Sequence, residues 1–378
     1  MIKTDQTECY DKMGEIVPCL HSGQDGDVRA GIAWPEPRFL PHENTVFDNL
    51  TGLIWTTDAN LPEFPLMWEE ALAYVAHMND KQTFGQADWR LPNRKELFSL
   101  VSHMQINPAL PEDHPFQNVF SGYYWTSTTC ARLPKEAWYV HLGGARLFKG
   151  MKHGSYMVWP VRGDTTGSNT IHRSGQHTCF SAAGAIVPCP DCLLQTPCFA
   201  RGDKRNDPST SVLLSSRLWR TSKPPRSQSG MVVGPGQDGA LQMGVPWPKP
   251  RFVGFQETAL DNLTGLEWTK SANQAGKTTD WKSAMDTVQR MNADRVFDHG
   301  DWRLPNIREL ESLVDAGSHS PALPHGHPFR HVEAFYWSST TSTYDSRYAW
   351  VLYMEDGSVG IGYKPNSSFF VWAVRTAK

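Results

Sequence analysis

One domain-length sequence occurs twice in this chain. The segment Asp48–Trp55 recurs as Asp261–Trp268 and the segment Asp88–Asn93 as Asp301–Asn306, both 213 positions later. A repeat of this length indicates a duplicated globular domain, because solenoid units run to only about 20–50 residues. Positions that both copies keep indicate scaffold, whereas positions that differ are free to specialise.

The aromatic residues supply the core. Fourteen of the 15 tryptophans fall into matched pairs across the repeat, and only Trp219 has no counterpart. Since each large aromatic side chain buries about 150–250 Å², tryptophans in register predict core positions rather than ligand platforms. A net charge of -3 in 378 residues gives no reason to expect nucleic acid or an anionic membrane as partner. No apolar run approaches the roughly 20 residues of a membrane span.

The cysteines indicate an oxidising environment. Three disulfides are predicted, namely Cys9–Cys19, Cys179–Cys189 and Cys192–Cys198. For the additional cysteines of copy two, a disulfide is simpler than a zinc site or a redox pair, and Cys130 remains as an odd thiol. Disulfides form outside the cytosol, while Met1–Gln6 is not a signal peptide. We therefore expect a secreted or cell-envelope protein, at the cell surface or in the periplasm, in mature form without its signal peptide.

The register of the repeat gives the domain organisation. The cysteine hairpins are offset by 170 positions and the remainder by 213, so copy two contains an insertion at about 190–232, rich in Pro, Ser and Arg. That composition fits an exposed loop. We assign 1–163 to a first domain with its N-terminal cysteine hairpin, 164–174 to a linker and 175–378 to a second domain.

Each copy has an α+β order. Helices are predicted over 68–78 and 281–291, the latter capped by Asp280. Further helices begin after Asn93 and Asn306, where a glutamate three residues on has the spacing of a capping box. Short strands flank each Asn-Leu-Thr-Gly turn, and three more end each copy, at 123–128, 137–142, 157–162, 335–340, 349–354 and 370–375. Two helices with short, twisted antiparallel strands are typical of an α+β domain.

The motifs taken together resemble a known family. Asp-Asn-Leu-Thr-Gly-Leu-x-Trp, Asp-Trp-Arg-Leu-Pro-Asn and Tyr-Trp-Ser-Ser-Thr, in this order in both copies, are similar to the C-terminal domain of Legionella collagen-like proteins, a bacterial domain of unknown function. The resemblance implies two tandem C-type-lectin-like domains, a fold shared with the formylglycine-generating enzyme. It also implies an extracellular location and binding or adhesion, including to sulfated glycans. Pro41–Asn44 and Gly254–Glu257 replace an acidic, glycine-rich stretch of many members, so most oxygen ligands for calcium are missing.

The remaining polar motifs favour structure over catalysis. Asp88 with Arg90, and Asp301 with Arg303, are interpreted as structural charge-assisted pairs, as are Arg162 and Arg375 near the last strands. The sequence has no phosphate loop, nucleophile elbow or metalloprotease helix. The histidines form no metal pattern. We therefore expect neither enzymatic activity nor a cofactor nor a metal.

Loops that differ between the copies are the predicted binding surface. Tyrosine, arginine and lysine there suit sugar stacking and anionic groups, although ordinary loop variation explains them as well. The candidates are Arg132, Lys135, Arg146, Lys149, Tyr344, Arg347, Tyr348, Tyr363 and Lys364. The first hypothesis is a non-catalytic adhesion protein that recognises glycans or a protein on a cell surface or matrix. The second is a self-associating subunit of an extracellular filament, sheath or envelope assembly. A third, an enzyme like the formylglycine-generating group, lacks support in the residues.

Overall fold

The computed structural model describes residues 1–163, 170–189 and 236–377. The predicted Cys192–Cys198 disulfide, the insertion at 190–232 and residues 164–169 of the predicted linker lie outside this part of the chain.

Both repeats have the same order of helices and strands. The first contains β1 (Cys9–Tyr10), β2 (Ile16–Val17), α1 (Asp25–Val28), β3 (Phe39–His42), β4 (Thr45–Asp48), β5 (Ile54–Thr56), α2 (Trp68–Asp80), α3 (Arg94–Ser99), β6 (Tyr123–Thr129), β7 (Glu136–His141), β8 (Arg146–Met151) and β9 (Val161–Arg162). The second contains β10 (Cys179–Phe180), β11 (Ile186–Val187), α4 (Asp238–Leu241), β12 (Phe252–Gly254), β13 (Thr258–Asp261), β14 (Leu266–Thr269), α5 (Trp281–Ala293), α6 (Ile307–Ser312), β15 (Phe335–Thr341), β16 (Tyr348–Tyr353), β17 (Ser358–Tyr363) and β18 (Val374–Thr376). Few helices and many antiparallel strands, repeated twice, agree with the predicted mixed α and β content.

The helix starts are where the sequence places them. Asn93 accepts hydrogen bonds from the backbone N–H groups of Lys95 and Glu96, and the Glu96 carboxylate accepts from the Asn93 N–H at 2.8 Å. This reciprocal capping box satisfies N–H groups that the first helical turn leaves unpaired. Asp280 caps α5 by accepting from the Ser283 N–H at 2.9 Å.

The last predicted strand of each repeat is shorter than expected. Strand pairing covers Val161–Arg162 and Val374–Thr376 of the predicted 157–162 and 370–375. The chain crosses here between two sheets, since Met157 bridges to Tyr124 whereas Val161 pairs with Trp55. One continuous strand cannot serve both sheets.

A six-stranded antiparallel sheet runs through both repeats, in the order β15-β16-β17-β8-β7-β6. The repeats join where Leu147 of β8 pairs with Val359 of β17. One face of this sheet packs on α3 and α6 in a hydrophobic core to which both repeats contribute. Each repeat also has a four-stranded sheet, β3-β4-β5-β9 or β12-β13-β14-β18.

The segment that precedes each repeat packs against the opposite repeat. The Gln6 side chain donates to Thr341 O at 2.9 Å and accepts from Thr341 N at 2.8 Å. Asp25 accepts from the Thr340 hydroxyl at 2.6 Å. The second segment binds the first repeat in the same way. The Gln176 side chain donates to Thr129 O at 2.7 Å and accepts from Thr129 N at 2.9 Å, and Asp238 accepts from the Thr128 hydroxyl at 2.6 Å. The predicted domain boundaries assign each hairpin to the repeat that follows it. The hydrogen bonds instead connect each hairpin segment to the other repeat, so the two repeats are interlocked.

The predicted hairpin disulfides are present. Cys9 is bonded to Cys19 and Cys179 to Cys189, each beside a two-stranded antiparallel ladder. Cys130 is a buried free thiol.

Candidate functional site

Aromatic side chains collect on the outer face of the central sheet in the first repeat. Residues paired across antiparallel strands share a face, and here Tyr123 pairs with His141 and Trp125 with Tyr139. Tyr156, from the loop before β9, packs on Trp125 with the ring centroids 4.2 Å apart. We call Tyr123, Tyr139, His141 and Tyr156 the tyrosine platform.

The platform rings are in mutual contact and partly open to solvent. The Tyr123 ring centroid lies 4.9 Å from that of Tyr139, 4.7 Å from His141 and 5.2 Å from Tyr156. Helix α2 covers the neighbouring part of the sheet in a separate core with Trp125. Tyr123 lies outside that core and is 43% exposed. The platform therefore offers ring edges and faces from a rigid sheet.

Three platform residues, Tyr139, Tyr156 and His141, have shifted pKa values that keep them uncharged at neutral pH. Burial raises the pKa of Tyr139 to about 12 and also raises the pKa of Tyr156, so both phenols keep their proton. Burial, followed by the Arg146 guanidinium, lowers the pKa of His141, which keeps the imidazole neutral. Arg146 pairs with His141 across the sheet and is exposed. The surface thus combines hydrogen-bonding ring substituents with one cation at its edge.

The second repeat has a different surface at the equivalent positions. Phe335 stands for Tyr123, Val351 for Tyr139 and Phe369 for Tyr156. Tyr353 replaces His141 and lies over Gly360, where a Cβ would be 2.9 Å from its ring. The group of three phenols is therefore specific to the first repeat.

Several predicted binding residues lie at the junction of the repeats. Arg132 forms an ion pair with Glu355 of the other repeat. Lys149 binds the Asp356 carboxylate and lies 3.0 Å from the Ser358 hydroxyl. Lys135 lies next to the turn of the second hairpin at Gly184. Arg132 and Lys149 therefore connect the two repeats.

Two candidates of the second repeat, Lys364 and Arg347, lie at the first hairpin. Lys364 donates to Asp11 O at 3.1 Å. Arg347 pairs with Asp345 at 2.7 Å, beside Gly14 of the hairpin turn. The remaining candidates are tyrosines: the rings of Tyr348 and Tyr363 have their centroids 5.2 Å apart, and Tyr344 is 62% exposed.

Of the nine predicted residues, Arg146 adjoins the tyrosine platform. The four platform residues themselves were not among the predicted binding residues. Their signal was an aromatic ring at every second position, as in Tyr123 and Trp125 or Tyr139 and His141, which is the period of one sheet face.

The predicted charge pairs have other partners than expected. Arg90 forms two hydrogen bonds with Glu96, at 2.7 and 2.8 Å, whereas Asp88 pairs with Arg162 at 2.7 Å. The two N–H donors of the Arg90 guanidinium fit the two oxygens of the Glu96 carboxylate, which the capping box holds in place. Arg303 likewise pairs with Glu309, and Asp301 with Arg375 at 2.8 Å.

The described part of the chain, 1–163, 170–189 and 236–377, contains neither a metal-binding cluster nor a membrane-spanning helix. No group of three or more His, Cys, Asp or Glu side chains in that part of the chain is arranged to hold a metal ion. Its helices are all too short or too polar to cross a bilayer.

The Lcl C-terminal domain family matches the sequence twice, over residues 44–162 and 257–375. The two matches cover more than half of the chain and confirm the two tandem copies. Both begin after the hairpin segments, so each matched domain is bound by the segment that precedes the other one. No curated protein and no solved structure matches the chain.

Proposed function

The chain belongs to the Lcl C-terminal domain family, and on that premise we propose that it is a non-catalytic extracellular protein that binds glycans through the tyrosine platform. Each repeat is proposed to have the C-type-lectin-like fold. The two hairpin disulfides support a location outside the cytosol. The biological target is a glycan, or a protein that carries one, on a cell surface or matrix.

The observation that carries this proposal is the open, rigid cluster of three tyrosines and a histidine. A pyranose ring has an apolar C–H face that packs on aromatic rings, while its hydroxyls bond to groups at the ring edges. Tyrosine suits such contacts because it offers a large amphipathic surface with little conformational freedom to lose. Arg146 at the rim adds a partner for an acidic substituent.

The absence of catalytic activity is proposed because the charged pairs are not accessible to a substrate. A general acid or base needs an accessible group, whereas Arg90 and Glu96 are buried and bonded to each other. Arg303 and Glu309 repeat this arrangement. Both pairs support the backbone around the helix starts.

A glycan array probed with the oxidised full-length protein tests the binding proposal. Tyr123→Ala removes an exposed ring and is expected to weaken binding by about tenfold or more, equivalent to about 1.4 kcal/mol. Phe335→Ala removes the equivalent ring of the second repeat and is the matched control, which should bind as wild type does. A flat array, or equal losses in the two variants, would count against the platform.

A second candidate function is assembly, since each hairpin segment docks on a repeat other than its own. The same docking between chains would link molecules by segment exchange. Light scattering coupled to size-exclusion chromatography, with electron microscopy of the fractions, distinguishes the two. Polymers or large discrete oligomers would favour assembly, and a monomer at every concentration would exclude it.

A further inference from the structure

A polar groove of about 750 Å³ lies beside α5 in the second repeat. One wall is a stripe on the helix formed by Ser283, Thr287, Arg290 and Asp294, whose spacing of three or four residues places them on one face. The other wall is the segment 274–280, and Ser367 adds to the lining. The volume lies within the range of about 300–1,000 Å³ typical of small-molecule sites.

The first repeat explains how the space arises. Thr287 corresponds to Tyr74, and Gln274 corresponds to Leu61. Tyr74 and Leu61 both pack against the core beneath α2. Threonine has no ring to fill the place that the Tyr74 phenol takes in the first repeat. The two copies thus differ in a way that opens a groove on one scaffold.

The lining is rich in hydroxyls and balanced in charge. Its hydroxyl and amide groups are those of Gln274, Thr278, Thr279, Ser283, Thr287 and Ser367. Its charged residues are two cations, Lys277 and Arg290, and two anions, Asp280 and Asp294, and no aromatic ring lines the groove. This composition disfavours a strongly charged ligand and a ligand bound by ring stacking. It suits a compact molecule with many hydroxyls that both donate and accept.

Much of the lining is already held in place. The Asp280 carboxylate accepts from the N–H and the hydroxyl of Ser283, at 2.9 and 2.8 Å. The Arg290 guanidinium donates to the Thr287 hydroxyl at 3.1 Å, and that hydroxyl donates to Ser283 O at 2.8 Å. Side chains ordered before binding lose less entropy on contact with a ligand. The Asp280 carboxylate at the start of α5 and the Arg290 guanidinium in its last turn offer acceptors and donors to different hydroxyls of a ligand.

We propose that this groove is a second binding site, which takes a neutral mono- or disaccharide or a polyol through hydrogen bonds. It is separate from the tyrosine platform, lies on the other repeat and does not depend on the function proposed for that platform. The chain would then recognise two different ligands with two copies of one domain.

Calorimetric titration of the oxidised full-length protein with glucose, galactose, mannose, N-acetylglucosamine and inositol tests the proposal. We expect at least one of these probes to bind wild type. Thr287→Tyr restores the residue of the first repeat and should weaken that binding by about tenfold or more. Thr287→Ser keeps the hydroxyl and the space, and should bind as wild type does.

Two further variants make the result decisive. Arg290→Ala changes an exposed side chain, so it should remain folded and lose affinity even if Thr287→Tyr does not fold. Tyr123→Ala should leave this titration unchanged, which separates the groove from the platform. Failure of all five probes to bind wild type, or full binding by both groove variants, would overturn the proposal.

Discussion

Lys364 of the second repeat donates a hydrogen bond to Asp11 O in the first hairpin, at 3.1 Å, with its ammonium group 4.2 Å above the Trp281 ring. Lys152 of the first repeat is its counterpart, since it donates to the carbonyls of Phe180 and Ser181, each at 3.2 Å. Each repeat therefore holds the opposite hairpin with one buried lysine. These two contacts form a reciprocal clasp between the repeats.

Replacement of Lys364 by methionine should weaken the clasp. Above the ordinary lysine pKa of about 10.4, where the amine is neutral in both states, the variant keeps the apolar stem but leaves the Asp11 carbonyl without its donor, which costs about 1 kcal/mol of unfolding free energy. Urea unfolding of wild type and Lys364→Met measures the difference, and Lys152→Met is the matched variant on the other repeat. Equal stability of all three proteins would show that neither lysine contributes to the clasp.

The same lysines give an expected dependence on alkaline pH. Burial lowers the pKa of Lys152 and of Lys364 to about 7 in the native state. Between pH 7 and the ordinary lysine pKa of about 10.4, the unfolded chain therefore binds more protons, so stability should rise with pH across this window. The double variant Lys152→Met/Lys364→Met should lack this rise in urea unfolding at several pH values. A rise of the same size in wild type and variant would contradict the assignment.

Two buried aspartates predict the opposite trend in mild acid. Burial raises the pKa of Asp25 and of Asp238 to about 6, although hydroxyl donors, Thr340 and Thr128 among them, act against the shift. Because the native pKa exceeds the unfolded value of about 3.9, the native state binds more protons between those values. Stability should therefore fall as pH rises from about 4 to about 6. Thermal unfolding of Asp25→Asn/Asp238→Asn over this range should show a smaller fall, and an unchanged profile would reject this role.

The interlocking of the repeats predicts which repeat is destabilised when a disulfide is removed. Cys9→Ser/Cys19→Ser frees the first hairpin, at a cost of about 2–4 kcal/mol. That hairpin accepts hydrogen bonds from Ser346 and Lys364 of the second repeat. The residues that flank it, Gln6 and Asp25, bind Thr341 and Thr340. Hydrogen exchange should therefore accelerate in 335–364 of the second repeat more than in 123–152 of the first. Cys179→Ser/Cys189→Ser should show the reverse pattern, and faster exchange confined to the repeat that follows each hairpin would contradict the interlocking.

Local structure was predictable where a single short motif determines it. The helix starts at Asn93 and Asn306 follow from their capping boxes, and the hairpin disulfides follow from the cysteine spacing. The docking of the hairpin segments was not predictable. The polar side chains that make it, such as Gln6, belong to no sequence pattern from which a distant partner could be identified. The candidate site was hidden for a related reason. Alternating aromatics predict one sheet face, but which face remains open depends on where α2 packs.

Loss of the buried carboxylate at the first helix start should be among the most destabilising single changes. Glu96 is fully buried and holds both the Arg90 guanidinium, at 2.7 and 2.8 Å, and the N–H of Asn93, at 2.8 Å. Glu96→Gln leaves the Arg90 charge buried without its anion, which costs about 3–5 kcal/mol. Glu309→Gln is the matched variant of the second repeat, where Arg303 is in the same position.

A double-mutant cycle at this site separates the interaction energy of the Arg90–Glu96 ion pair from the energy of burying the two side chains. Arg90→Met/Glu96→Leu removes both charges, so it should cost less unfolding free energy than Glu96→Gln alone, because no unpaired ion remains. Urea unfolding of wild type, Arg90→Met, Glu96→Leu and Arg90→Met/Glu96→Leu gives the coupling energy between the two side chains. If Arg90→Met/Glu96→Leu were less stable than Glu96→Gln, the lost unfolding free energy would come from packing around the pair rather than from its charge.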